Sequence, residues 1–410
     1  GLLLEGDIYL DWADEVPARY EDARRSYATL IQAYGMEDLY LERMLLYFIR
    51  TDNLTEVLPL KTHFLSAEKP FPSASTLAEL GGYLFDKGIM EEVHTILLDA
   101  EAKDRLLPEV HYQLARYFHK AAIPAEERKA LDNAVKTFGL EPILSRRREA
   151  MFIDSYLMRA NFELEAREYV AAEADYSAAA AEYERAQALG RLGKAPRFAA
   201  AYAGMGEVAY WQRDDLAAAL SYFERAAAEG WDSPSLRYER GYILYRQGRP
   251  REAVEQFYMA GRDGDESPYL LFAFGNALYA RQDWHAAEGY FLRTVEAMNR
   301  ELEEISLPVP SERASHAEIA ELLMEAENNL GAALYKASAR AGDARKRALA
   351  VSAFTESTRL YDSLTRDQAA MPRAGGENLG LANLNLLMGA RGMEPKLFLG
   401  LEKGMDFPKR

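Results

Sequence analysis

Histidines, cysteines and clustered carboxylates are the residues from which a catalytic or metal site would be built, and here their spacing argues against one. The six histidines are His63, His94, His111, His119, His285 and His316, and the nearest two, His111 and His119, miss the i, i+4 spacing of a helical zinc site. Cysteine is absent, which removes disulfides, thiolate nucleophiles and cysteine-ligated zinc together. No glycine-rich phosphate loop, nucleophile elbow or aspartate-rich calcium loop occurs. The acidic runs Glu163/Glu165/Glu168 and Glu301/Glu303/Glu304 read as solvated helix faces. No catalytic residue, metal ligand or cofactor is therefore expected. The chemistry that remains is contact chemistry: Tyr238, Tyr242 and Tyr245 recur at i, i+4 and i+7, and such rings offer large rigid contact area at low entropic cost.

The elements that position these rings repeat. Ser233-Pro234 returns as Ser267-Pro268, Gly241 as Gly275, Leu244-Tyr245 as Leu278-Tyr279, Ala253 as Ala287 and Phe257 as Phe291, each 34 residues on. One interval earlier stand Ala219, Phe223 and Ala226 for Ala253, Phe257 and Ala260. Within a unit, Ser233 caps and Pro234 opens a helix that runs to about Gln247. Gly248-Arg249-Pro250 then stops the chain, turns it and restarts it as a second helix, with Ala253, Phe257 and Ala260 on one face. Glycine inside a helix costs roughly 1 kcal/mol against alanine, so Gly241 implies a closely crossing neighbour, with Ala253 expected as the small partner. One such pair cannot bury both its faces, whereas stacked copies can.

At Gly241/Ala253/Phe257/Ala260 and Gly275/Ala287/Phe291/Thr294 the chain resembles the tetratricopeptide repeat family. The resemblance implies an all-α fold, a right-handed superhelical solenoid of antiparallel helix pairs, whose concave groove binds a protein or peptide. It also implies that first-helix residues facing away from their partner line that groove. On that basis the candidate partner-binding residues are Tyr210, Trp211, Tyr238, Arg240, Tyr242, Tyr245, Tyr269, Phe272, Asn276 and Tyr279. Tyr245 and Tyr279 can equally be packing residues between repeats, and the stem of Arg240 can pack while its head reaches the groove edge. Some family members grip a C-terminal carboxylate with Lys, Asn and Arg from successive first helices; of these only Asn276 has a counterpart here. A receptor for acidic chaperone tails is therefore not expected.

Along the chain, partly degenerate pairs occupy 1–137, with Leu45 where a small residue is expected and Pro59 inside a helix. An irregular pair spans 144–192, and its alanine-rich run from Ala178 to Leu192 predicts a long second helix ending near Gly190–Gly193. Regular repeats fill 197–300 and are expected to be the most stable part. Ser306–Ser311 breaks the helix that follows Phe291. A further pair with a widened turn at Ala341–Asp343 covers 316–362, and Thr365–Glu377 reads as a flexible connection. In 377–410, a leucine-rich helix over Leu379–Met388 caps the last repeat, and the tail beyond it is irregular or ordered only by docking.

The whole chain has 410 residues, 49% hydrophobic and 28% charged, which suffices for an ample core. Its net charge of −16 opposes tracking of nucleic-acid phosphates. No uncharged apolar run nears the ~18 residues of a membrane span, so no membrane insertion is expected. The basic groups Arg146-Arg147-Arg148 and Arg191/Lys194/Arg197 read as a solvated face or as a receiver for an acidic partner. A start at Gly1, already in helical sequence, predicts a fragment or processed chain, with an exported location slightly favoured over a cytoplasmic one. The stretch Glu42–Asn53 resembles periplasmic repeat proteins of spirochaete flagellar motor collars, which implies homo- or hetero-assembly in a cell-envelope machine. A regulatory repeat domain of a larger enzyme is the other alternative to a scaffold.

Overall fold

A computed structural model describes residues 1–13, 16–65, 72–141, 144–263, 267–304, 313–366, 377–389 and 394–398, and among these the chain is all-α, with no strand. The break expected at Ser306–Ser311, most of the connection 365–377 and the tail beyond 398 lie outside the described residues. The helices fall into two compact units, Gly1–Gly204 and Met205–Arg410.

The first unit holds α1 (Leu2–Trp12) with α2 (Arg19–Tyr34), α3 (Asp38–Arg50) with α4 (Leu54–Leu65), and α5 (Ala74–Asp86) with α6 (Val93–Lys103). It continues with α7 (Pro108–Lys120) and α8 (Pro124–Phe138), then α9 (Arg146–Glu165) and α10 (Tyr169–Ala188). A 3₁₀ turn at Pro196–Ala199 leads into α11 (Ala200–Arg213), within which the division between units falls. The predicted long helix is α10, whose alanines allow close packing while Tyr176 and Tyr183 fill the interior. Successive pairs are also joined by buried polar contacts. Glu42 of α3, 1% exposed, accepts from the backbone N–H of Ser73 at 2.7 Å and from the Thr76 hydroxyl at 2.6 Å, tying the second pair to the cap of α5.

In the basic triplet at the start of α9, Arg146 is exposed while Arg147 and Arg148 are engaged in ion pairs and are not a free face. Arg147 bonds Glu79 at 3.0 Å, Arg148 bonds Glu109 and Glu141 at 2.6 Å each, and Arg50 reaches Glu79 from α3 at 3.1 Å. Burial alone would raise the Glu79 carboxyl, but Arg147 and Arg50 overcome it and hold the group below its ordinary range. Arg50, Glu79, Glu109, Arg147 and Arg148 line a cavity of about 480 Å³, where their ion pairs largely offset one another's charge.

Glu163 departs from its expected solvated position: it is 4% exposed, whereas Glu165 and Glu168 stay in water. Burial, and then the neighbouring Asp175, push its carboxyl up to about 7, against the pull of Arg128 and Arg159; Glu168 adds to the rise. A carboxyl raised in the folded state binds its proton more tightly there than in the unfolded chain. Its contribution therefore favours folding at acid pH and is lost as pH rises from the ordinary value of 4.5 through about 7. In chemical denaturation at pH 5 and pH 8, Glu163→Gln is expected to gain on the parent as pH rises. A stability difference that stays constant with pH would show that Glu163 titrates as an exposed group.

The second unit contains the remainder of α11 with α12 (Leu216–Ala228), then α13 (Pro234–Arg246) with α14 (Pro250–Arg262) and α15 (Pro268–Ala280) with α16 (Trp284–Glu304). The last pair is α17 (Arg313–Ala341) with α18 (Ala344–Arg366), and α19 (Leu379–Gly389) packs on α18. The local signals operate as expected. Ser233 Oγ accepts from the Leu236 N–H at 3.1 Å and Ser267 Oγ from the Leu270 N–H at 3.2 Å, while Gly248 adopts φ +75° just past α13. The close partner of Gly241 differs from expectation. A Cβ there would lie 2.7 Å from the Phe257 ring, and at Gly275 it would lie 2.5 Å from the Phe291 ring. The glycines thus seat an aromatic of the second helix, with Ala253 and Ala287 fully buried in the same interface. Among the described residues, no helix is long and apolar enough to cross a membrane.

Candidate functional site

The site lies in the second unit, on α15, α17 and α19, and incorporates the segment Glu394–Phe398. Serine caps and N-terminal prolines fix where α13 and α15 begin, and the Gly–Phe seats fix their rotation. That rotation decides where each predicted contact residue points.

Four of the predicted rings are covered inside the unit. Tyr210, Tyr238, Tyr242 and Phe272 are at most 2% exposed. Tyr238 packs on Phe257 with ring centres 5.9 Å apart, and Phe272 packs on Phe291 at the same distance. They therefore do not line an open groove. A residue three positions before the glycine of a first helix leans toward its own second helix and finishes the core that the glycine opens. Tyr210 also accepts from Arg246 Nη1 at 3.2 Å.

Trp211, Arg240, Tyr245, Tyr269 and Tyr279 are partly exposed. Trp211 meets Tyr210 edge-on, and Arg240 Nη1 lies 3.9 Å from Asp232. Burial pushes the Tyr245 phenol up to about 12 and the Tyr279 phenol further, helped in the second case by Glu394. Asn276 is buried, as Tyr238 and Tyr242 are, but it begins a polar row.

That row consists of four asparagines, Asn276 of α15, Asn328 and Asn329 of α17, and Asn383 of α19, each no more than 2% exposed. Asn329 Nδ2 donates to Asn276 Oδ1 at 2.8 Å and to the Phe398 carbonyl at 2.9 Å, while its Oδ1 accepts from the Phe398 N–H at 3.0 Å. Asn383 repeats the arrangement two residues earlier. Its Nδ2 donates to the Lys396 carbonyl at 2.7 Å and to Asn328 Oδ1 at 2.9 Å, and its Oδ1 accepts from the Lys396 N–H at 2.8 Å. Asn328 Nδ2 donates to the same Lys396 carbonyl and to Asn329 Oδ1, at 3.1 Å each. A backbone N–H only donates and a carbonyl only accepts, so these contacts fix the orientation of both gripping amides.

One side-chain amide can bond both the N–H and the C=O of a residue only if the two point the same way. That is the disposition of an extended chain, and successive gripped residues are then two apart. Lys396 and Phe398 satisfy both conditions. The row therefore reads polypeptide through its main chain, as a neighbouring strand would. Pro395 and Phe398 are buried against the unit, while Glu394 pairs with Lys336 and Lys396 pairs with Glu377 at 2.7 Å.

Of the ten predicted residues, Asn276 joins this row and Tyr279 lies near Glu394. Asn328, Asn329, Asn383 and the segment itself were not predicted. A signal existed for Asn328, which stands three residues before Gly331 as Phe272 stands before Gly275 and Tyr238 before Gly241. Asn383 belongs to a helix outside the 34-residue register and carried none.

No family model matches the chain, and no curated protein does. Among solved structures the chain is similar to Pseudomonas aeruginosa pilF, at 18% identity over 54% of this chain and 89% of that one, with a TM-score of 0.44. It is also similar to the C-terminal part of a TPR repeat-containing protein from Cytophaga hutchinsonii, at 14% identity, 72% and 98% coverage and a TM-score of 0.45. A third is YrrB, a TPR protein with an unusual peptide-binding site, at 20% identity, 59% and 98% coverage and a TM-score of 0.39. By its own packing, with Phe257 seated on Gly241 and Phe291 on Gly275, the chain is an all-α protein of tandem tetratricopeptide-like helix pairs.

Proposed function

We propose that the chain is a non-enzymatic scaffold that holds an extended stretch of a protein partner along the asparagine row of its second unit. The observation that carries this reading is the paired grip of Asn329 and Asn383 on the main chain of Phe398 and Lys396. Buried amides are costly unless satisfied, and here polypeptide backbone satisfies them. Main-chain bonds supply affinity without regard to sequence, while the covered places of Pro395 and Phe398 select side chains. The partly exposed Tyr279, whose phenol senses Glu394, supplies rigid contact area beside the row.

The test is capture from the source cell with the full chain and with an Asn329→Leu/Asn383→Leu variant of matched helicity. A partner held by the parent is expected to be lost, or weakened about tenfold or more, in the variant. Equal capture by both would move the binding surface away from the row.

A further inference from the structure

The occupant of the row is part of the chain itself, and its attachments are unequal. Five main-chain bonds hold Lys396 and Phe398, those to Phe398 buried and those to Lys396 part-buried, with one amide gripping each residue reciprocally. In the flanking ion pairs, by contrast, Glu394, Lys396 and Glu377 are exposed and only Lys336 is covered. Exposed pairs of this kind contribute little, so the hold rests on the amides and on the covered Pro395 and Phe398. Bonds to the main chain do not distinguish this segment from another polypeptide of the same shape. The row also extends one step further: the Asn276 Nδ2 amide is buried and has no partner among the described residues. A buried donor left unpaired is costly, and it belongs to the residue that accepts from the gripping Asn329.

We infer that Glu394–Phe398 is an internal ligand: it occupies in cis the place of a partner's extended peptide that bears a proline and, three residues on, an aromatic, and the partner binds by displacing it. The inference rests on the reading of the row as a polypeptide-binding site. Tethering gives the internal ligand a high effective concentration, so it weakens an incoming peptide's apparent affinity by the fraction of chains left open.

The experiment uses the full chain and a fluorescent, end-capped pentapeptide of sequence Glu-Pro-Lys-Leu-Phe. A Lys396→Pro/Phe398→Ala variant removes one gripped N–H and the buried ring while leaving the asparagines intact. The variant is expected to bind the pentapeptide about tenfold or more tightly than the parent, and adding Asn329→Leu is expected to abolish that binding. The single variants Phe398→Ala and Lys396→Pro, each milder, should fall between. Equal affinity in parent and double variant, absence of binding to both, or binding that survives Asn329→Leu would each overturn the inference. A parent that dimerises through the segment, with the double variant monomeric, would also overturn it by assigning the segment to a second copy. Failure of the broader reading looks different. If parent and double variant capture the same cellular protein while neither binds the pentapeptide, the internal ligand fails and the scaffold stands. Pentapeptide binding to the open variant without any capture from cells would instead leave the site intact and remove the scaffold reading.

Discussion

Replacing Phe257 with alanine is expected to lower the stability of the second unit by about 3–5 kcal/mol, the range for a fully buried aromatic. The ring is 0% exposed and lies over Gly241, with Tyr238 and Phe274 each 5.9 Å from it, centre to centre. Two of its neighbours are rings fixed by their own packing, so the vacated space collapses poorly and the cost falls high in the range. In a stacked repeat the loss also loosens α15, which packs on α14, so the effect spreads to the next pair. Chemical denaturation followed by helicity measures it. A loss under about 1 kcal/mol would place the ring outside the core and overturn the 34-residue register.

Arg159→Leu is the second large effect, at about 3–5 kcal/mol, because it strands buried carboxylates in the first unit. Arg159 bonds Asp175 through Nη2 at 2.8 Å and through Nε at 2.5 Å, and Asp132 at 3.0 Å. Asp175 is 7% exposed and lies close to Glu163, whose carboxyl is already raised. Removing the guanidinium leaves two neighbouring acids without their shared counter-charge. The cost should shrink as pH falls through about 7, since protonation of Glu163 relieves the repulsion between the two, and Arg159→Leu/Asp175→Leu should recover much of the loss. A loss below about 0.5 kcal/mol at neutral pH would mean that the pair behaves as a surface salt bridge.

The repeats were legible in the sequence because their signals are local. Ser–Pro starts and the Gly248 stop act within one helix pair and are used as read, and the repeat glycines mark close crossings as read, although the ring of Phe257, not Ala253, fills the place at Gly241. Glu163 was misjudged because carboxylate spacing along one helix does not disclose Arg128 on α8 or Asp175 on α10. The rings of α13 and α15 were misplaced for a related reason. Periodicity names a helix face, but the direction of the side chain along that face sends Tyr238 and Phe272 into their own pair. The asparagine row was least visible. Its members come from three helices separated by insertions, and its occupant, Glu394–Phe398, has no pattern beyond a proline and a phenylalanine. Only the possibility that the tail is ordered by docking anticipated it.

The central claim, that buried amides grip polypeptide main chain, is tested most directly by residue-resolved amide hydrogen exchange on the intact chain. Lys396 and Phe398, whose N–H groups bond Asn383 and Asn329, are expected to exchange at least about tenfold more slowly than an unstructured peptide of the same sequence. Asn329→Leu should release Phe398 first. Exchange at free-peptide rates for both amides would contradict the account.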